Sequence, residues 1–228
     1  MLKFVDCLFF CFFVSRQRNK TRLLTYETFI YIISSDSFTL FIRTVQMSKI
    51  DTFIIRDDGE YLPNNNQSPV IIYHQVFERK TVSACQWEDL FKKNHFGNSW
   101  RDGIYPFHHY HSTAHEVLGC YAGRARVRLG GDNEQVRRDV ELTAGDCVLI
   151  PIGVAHKNLD ENSDLALVGA YDLDGNDVDM NYGKNADERK QAEENMKQVK
   201  IPRLDPVLGS QGGLNQYWKT EHNNHEDY

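Results

Sequence analysis

The fold class this sequence predicts is all-β, a sandwich or barrel, and three features point to it. Short runs rich in branched and aromatic residues recur closely between residues 104 and 171. Glycine-rich turns separate them, as at Gly123 and Gly130-Gly131-Asp132-Asn133. Helix signals are confined to two segments, helical spacing at 85–95 and helix-favouring composition at 185–199. Closely spaced short strands with glycine turns read as two packed sheets or a closed barrel.

The elements follow in order. Residues 52–56 are short and β-branched, Asp57-Asp58-Gly59 is a turn, and 63–66 form a loop. Residues 70–77 read as a strand. Segment 85–95 sets Trp87, Leu90 and Phe91 at helical spacing with charges between them. That is an amphipathic helix laying one face on something larger, with Gly97 as its stop. Strands are then expected at 104–111, 116–122, 125–129, 136–142, 147–151 and 166–171. An acidic loop, 172–184, leads into a nearly all-polar surface helix over 185–199. Residues 201–218 are rich in Pro and Gly and read as extended, and 219–228 as a disordered tail.

The chain of 228 residues divides as a single domain over 47–218 with an extension, 1–46, of different character. The extension holds two apolar patches, 2–14 and 29–45, neither with a partner pattern in its own segment. Either Met47 is the true start or 1–46 carries a signal peptide, although Asp6 interrupts the first patch and no small-x-small cleavage site follows. A cytosolic-type compartment is the first expectation and secretion the alternative. Five cysteines, odd in number and irregular in spacing, fit reduced thiols. Cys7 and Cys11 have no second pair to complete a four-ligand zinc site.

With 41% hydrophobic and 25% charged residues the chain is an ordinary globular mix, which excludes wholesale disorder. A net charge of -6 argues against a nucleic-acid partner. No run reaches about 18 uninterrupted apolar residues, so no membrane span is expected.

The nine histidines carry the functional argument, because several crowd into 107–116. Residues two apart on a strand share a face, so His109 and His111 aim together while His108 and Tyr110 aim away. Glu116 opens the next strand after a four-residue connection and can return to the height of His111. Pro151-Ile152-Gly153 bends the chain, and His156 emerges beyond the bend. Three imidazoles and one carboxylate could then meet inside a barrel, a donor set suited to iron, manganese, nickel, copper or zinc with positions left open.

These residues carry a resemblance. Gly103, His109, His111, Glu116 and Gly123 fill the first motif of the cupin superfamily, G-x5-H-x-H-x(3 or 4)-E-x6-G. Gly145, Pro151, Gly153 and His156 fill the second, G-x5-P-x-G-x2-H-x3-N, whose last position departs: Asp160 stands there, and the Asn comes early as Asn158. The stretches WRDGIYPFHHYHSTAHEVLG and IPIGVAHKNL also resemble a narrower group, the single-domain YjlB-type cupins, from about Ile54 to Trp218. The resemblance implies a double-stranded β-helix, the cupin jelly-roll barrel, with one or two peripheral helices. It also implies that His109, His111, Glu116 and His156 hold one divalent transition metal: iron, manganese, nickel or zinc. His108 and His115 are then exposed, or act as hydrogen-bond partners of the ligands.

Around that ion, Tyr105 and Phe107 share the face of His109 and His111, and Leu118 and Cys120 the face of Glu116. A mostly apolar small-molecule pocket follows. Arg101 at its mouth either clamps a substrate carboxylate or makes a surface ion pair. Cys120 is either a thiol beside a redox metal or a small buried hydrophobe. Arg124, Arg126 and Arg128 form an outer basic stripe. Two function classes stay open. One is a metalloenzyme of dioxygenase, decarboxylase or isomerase type acting on a small oxygenated metabolite. The other is a non-catalytic small-molecule or metal-binding module. Sheet edges in such a barrel call for covering, so a homodimer is expected.

Overall fold

The structure, a computed structural model, describes residues 25–34, 37–46, 49–160, 163–172 and 177–218. The 2–14 patch, Cys7, Cys11 and the 219–228 tail lie outside the described residues. Strands β1 (Thr25–Ser34) and β2 (Ser37–Gln46) pair antiparallel as a two-stranded sheet of their own, from Thr25 opposite Gln46 to Ser34 opposite Ser37. The two halves of the 29–45 patch therefore lie on strands that pair with each other.

Two further antiparallel sheets make the body. A six-stranded sheet runs β3-β4-β9-β6-β11-β5, formed by β3 (Lys49–Ile55), β4 (Asn65–His74), β5 (Phe96–Asp102), β6 (Glu116–Ala122), β9 (Cys147–Ile150) and β11 (Ala166–Asp172). A three-stranded sheet runs β10-β7-β8, formed by β7 (Arg124–Leu129), β8 (Arg138–Thr143) and β10 (His156–Asn158). Side chains from both sheets, among them Val70, Ile72, Leu118, Val127, Leu129, Val148 and Leu167, fill one core between them. This is the jelly-roll double-stranded β-helix.

The larger sheet is buried on its outer face as well. Ile71, Tyr73, Val117, Leu149, Val168 and Ala170 alternate with the barrel-facing residues and pack with Trp87, Phe91, Leu214 and Trp218. Burial of both faces explains why 70–73 and 147–150 read as unbroken apolar runs. The outer cover is α1 (Ala84–Lys93), whose start is fixed by a capping box between Ser83 and Gln86. Trp87 lies flat on Gly119 of β6, where a Cβ would fall 2.4 Å from the indole ring, and donates its indole N–H to the Cys120 carbonyl at 3.0 Å. Only glycine permits that approach.

The C-terminal segment adds α2 (Ala186–Met196) and the five-residue α3 (Gly213–Tyr217). Helix α2 is polar as expected. It inserts Ala192 beside Leu62, Tyr110 and Ala155 and is tied down by Arg189, which forks onto Asp57. The 201–218 arm, expected to be extended, gains α3 because the wholly buried Asp205 accepts from the N–H of Leu214 and from the Tyr73 hydroxyl.

Two local expectations are corrected. Helix α1 ends at Lys93 instead of at Gly97, because Asn94 caps it and His95 takes a left-handed φ of 66°. Chain reversal there starts β5 at Phe96, a strand the sequence reading lacked. Conversely, 104–111 is not a strand; it makes only bridges, His109 to His156 and Tyr110 to Asn181. Pro106 has no N–H to give a ladder, so the aromatic density of this run misleads. No helix among the described residues is long and apolar enough to cross a membrane.

Candidate metal centre

The two histidine-bearing segments are stapled to each other by their main chains. The His109 and His156 backbones exchange hydrogen bonds of 3.2 and 2.9 Å, and the Gly153 N–H donates to the His111 carbonyl at 2.8 Å. Gly153, at φ 84°, makes the bend that allows this. Glu116 arrives separately, as the first residue of β6, opposite Ile150 and Tyr171 in the flanking strands. His109, His111 and Glu116 of one segment thus converge with the distant His156 inside the barrel, each about 5% exposed or less.

One nitrogen from each of His109, His111 and His156 lies within 4.8 Å of the others. Two bonds of about 2.0–2.2 Å to a common ion span at most about 4.4 Å, close to this spread. The imidazoles share an orientation. Nδ1 faces a backbone carbonyl in each: Phe107 O at 3.3 Å for His109, Asp179 O at 2.5 Å for His111, and Val154 O at 3.3 Å for His156. A carbonyl only accepts, so Nδ1 carries the proton and the Nε2 lone pair is left bare. Nε2 of His156 stands 3.1 Å from Oε2 of Glu116, and Nε2 of His111 stands 3.6 Å from Oε1. Oε2 is buried with no hydrogen bond of acceptable geometry. Bare lone pairs at that distance repel unless a cation or a proton sits between them. The donor set therefore fits a divalent ion.

At His109 and Glu116 the electrostatics agree with that fit, and at His111 a cation would take the place of the proton that Glu116 favours. Burial, reinforced by neighbouring His156, pushes the His109 imidazole down to about 3, so it is neutral and ligand-competent near neutrality. Burial would raise the Glu116 carboxyl, but His111 and His156 outweigh it and hold the group well below the usual range. Burial would likewise lower His111, and the Glu116 charge reverses the sign.

A cavity of about 250 Å³ opens beside these four side chains. Tyr105, Arg101 and Leu118 line it; Phe107 and Cys120 do not. Phe107 stacks on Tyr105 at the outer rim. The Cys120 thiol turns to the Ala122 carbonyl at 3.2 Å, and burial pushes it up to about 12, so it behaves as a small hydrophobe. Arg101 is clasped by Glu88 through two contacts of 2.7 Å, the ion-pair alternative of the two left open. Arg126 and Arg128 of the outer stripe are likewise paired, with Asp160 and with Asp139 and Asp132. Asp160, at the departing motif position, also accepts the Arg126 N–H, while Asn158 accepts the Asp160 N–H.

Trp100, Tyr171, Met180 and Asp179, none of them expected at the site, shape this centre, and His115 joins them. Trp100 donates its indole N–H to the Tyr171 hydroxyl at 3.0 Å, and both line the cavity with Met180. Asp179 anchors His111 through its carbonyl, and its carboxylate accepts from Ser112 N–H and Oγ–H. His115, of the two alternatives left open, is not exposed: it is buried and hydrogen-bonds not to a ligand side chain but to the Ile152 N–H at 2.9 Å, bracing the bend that precedes His156. His108 lies mostly covered, 3.2 Å from Asp132. Residue spacing held no signal for Tyr171 or Asp179, which reach the site from strands and loops far along the chain.

Comparison with known proteins places the chain among relatives. Residues 101–181 match the family model described as Cupin. The chain is 33% identical over 167 residues to a Bacillus subtilis (strain 168) protein described as "Uncharacterized protein YjlB", a match covering 73% of this chain and 95% of that one. Among solved structures it is similar to the coconut allergen cocosin, at 18% identity and TM-score 0.31 over 52% of this chain and 29% of that one. It is also similar to the Bacillus subtilis oxalate decarboxylase studied for its Mn(II) centres, at 16% identity and TM-score 0.30 over 54% of this chain and 30% of that one. The chain thus spans less than a third of each of these two longer proteins.

Proposed function

The chain belongs to the cupin family, and from that premise we propose that it is a metal-dependent cupin acting on a small oxygenated metabolite, by dioxygenation, decarboxylation or isomerisation. His109, His111, His156 and Glu116 would hold the ion, which is iron, manganese, nickel or zinc. Such an ion supplies Lewis acidity, and redox chemistry where it is iron or manganese. One observation carries the reading: one nitrogen from each of three buried imidazoles lies within 4.8 Å of the others, beside the Glu116 carboxylate, 3.1 Å from His156 and 3.6 Å from His111.

The protein's own groups have definable tasks. Carbonyl oxygens of Phe107, Asp179 and Val154 fix the three imidazole orientations. Leu118 and the ring of Tyr105 supply apolar parts of the cavity wall. Tyr171 and Trp100 bring the hydrogen-bonding groups to its inner side. The working unit in this proposal is residues 47–218, acting as a homodimer. Light scattering tests the dimer, and a monomeric mass removes it.

The functional test is turnover. The metal-loaded chain is offered diketones, thiols, oxalate and sugar acids with oxygen uptake and product analysis as readouts. Turnover abolished in His111→Ala supports the enzyme reading. Tight ligand binding with no turnover across the panel replaces it with a non-catalytic binding module.

A further inference from the structure

On the cavity side of the large sheet, as on its outer face, a tryptophan lies against a glycine. Gly169 of β11 stands opposite Trp100 of β5. A Cβ at Gly169 would collide with the Trp100 indole ring, so only glycine lets the indole lie this close to the strand. The ring packs on the barrel core and lines the cavity. From there its N–H reaches the hydroxyl of Tyr171, two residues along β11, at 3.0 Å.

Chemistry fixes the direction of each hydrogen bond. Indole N–H only donates, so the Tyr171 oxygen accepts from Trp100. The same hydroxyl hydrogen-bonds the carboxylate of Glu116, its cross-strand neighbour, and a carboxylate only accepts. Tyr171 therefore donates its one proton to Glu116. Trp100, Tyr171 and Glu116 form a one-way chain of donors that ends on the carboxylate, and each bond in such a chain polarises the next.

Packing alone does not require the hydroxyl. The Tyr171 ring meets the His111 ring edge-on, with centroids 5.3 Å apart, and a phenylalanine ring would do the same. What the hydroxyl adds is a hold on a carboxylate whose oxygens stand 3.1 Å from Nε2 of His156 and 3.6 Å from Nε2 of His111. An untied carboxylate turns about its last carbon–carbon bond, and a charge-assisted hydrogen bond to a phenol opposes that rotation.

We propose, on the premise that the four converging side chains hold a divalent ion, that Tyr171 is a positioning residue for that ion. It fixes the Glu116 carboxylate in the orientation that faces the histidine nitrogens, and Trp100 in turn fixes Tyr171. Both act through Glu116 and neither serves as a ligand.

The test uses the full chain loaded with Mn(II). Affinity is read by chelator competition, and electron paramagnetic resonance reads the fine-structure splitting, which responds to ligand orientation. Tyr171→Phe keeps the ring and removes the hydroxyl. It should still take up about one Mn(II) per chain, but about tenfold more weakly and with an altered splitting. Trp100→Phe should weaken binding about threefold, and should add no further loss in the Tyr171→Phe background, because the indole acts through the Tyr171 oxygen. A phenol that only fills space would leave the splitting as it is in the unaltered chain. Unchanged affinity and splitting in Tyr171→Phe overturn the proposal, and additive losses in the double variant overturn the part given to Trp100. If Tyr171→Phe does not fold, Trp100→Phe decides alone, and an unchanged splitting there overturns the proposal. No uptake of manganese or any other transition ion by the unaltered chain overturns the metal reading and this inference with it. Manganese uptake indifferent to Tyr171→Phe overturns this inference alone.

Discussion

Tyr171 stands directly across the β6–β11 ladder from Glu116, so both side chains project from the same face of the sheet. The Tyr171 ring also packs edge-on to His111, with centroids 5.3 Å apart. Glu116 is thereby walled in by a phenol and two imidazoles, and its carboxylate is the only full negative charge among the four converging side chains. Glu116→Gln keeps the shape and removes that charge. Metal affinity, read by competition with a chelator, should fall about tenfold or more. Unchanged affinity would show that the three imidazoles suffice.

His115 braces the bend before His156 by accepting the Ile152 N–H inside the protein. His115→Leu leaves that N–H buried and unpaired, a loss of about 1–3 kcal/mol. The urea midpoint should fall accordingly with an unchanged slope. A midpoint within error of the unaltered chain would mean that the N–H finds another partner.

Gly119→Ala pushes a methyl group into the Trp87 ring. Neither neighbour can retreat, because Trp87 is fully buried and hydrogen-bonded to Cys120. Overpacking of this kind costs about 1–3 kcal/mol. At about 2–4 °C per kcal/mol for a chain of this size, the thermal midpoint should drop by several degrees.

Acid should loosen α2. Partial burial would raise the Asp57 carboxyl, but Arg189 and the Gly59 N–H outweigh it and hold the group below its ordinary value. A carboxyl lowered by folding contributes stability above its unfolded pKa of about 3.9 and loses that contribution as pH falls through the folded value. With the Asp57 side chain 33% exposed, solvent screening limits the pair to about 1 kcal/mol or less. Amides of α2 should therefore lose hydrogen-exchange protection below about pH 4. In Arg189→Met the change across that window should be smaller; an equal change would place the acid sensitivity elsewhere.

Sequence pattern located the elements whose two faces differ or are both apolar. Strand β6 begins and ends where the reading put it, and β9, β11 and α1 lie within one or two residues of their expected bounds. The four converging side chains were legible because their spacing is local within two motifs, each folding around one turn. Strand β5 was missed because its sequence, FGNSWRD, is half polar and its strand sits at the edge of the sheet. The misread run 104–111 has the composition of a strand and a proline in its middle. Contacts such as Trp100 to Tyr171 and His111 to Asp179 join residues about 70 positions apart. Such pairs are set by how the barrel closes, and a single sequence carries no periodic trace of them.

The most direct measurement is elemental analysis of the purified chain by plasma mass spectrometry, beside His156→Ala prepared identically. About one transition-metal ion per chain is predicted for the unaltered protein and a large deficit for the variant. A chain that stays ion-free after exposure to manganese, iron, nickel and zinc, or a variant that retains its full complement, would contradict the account.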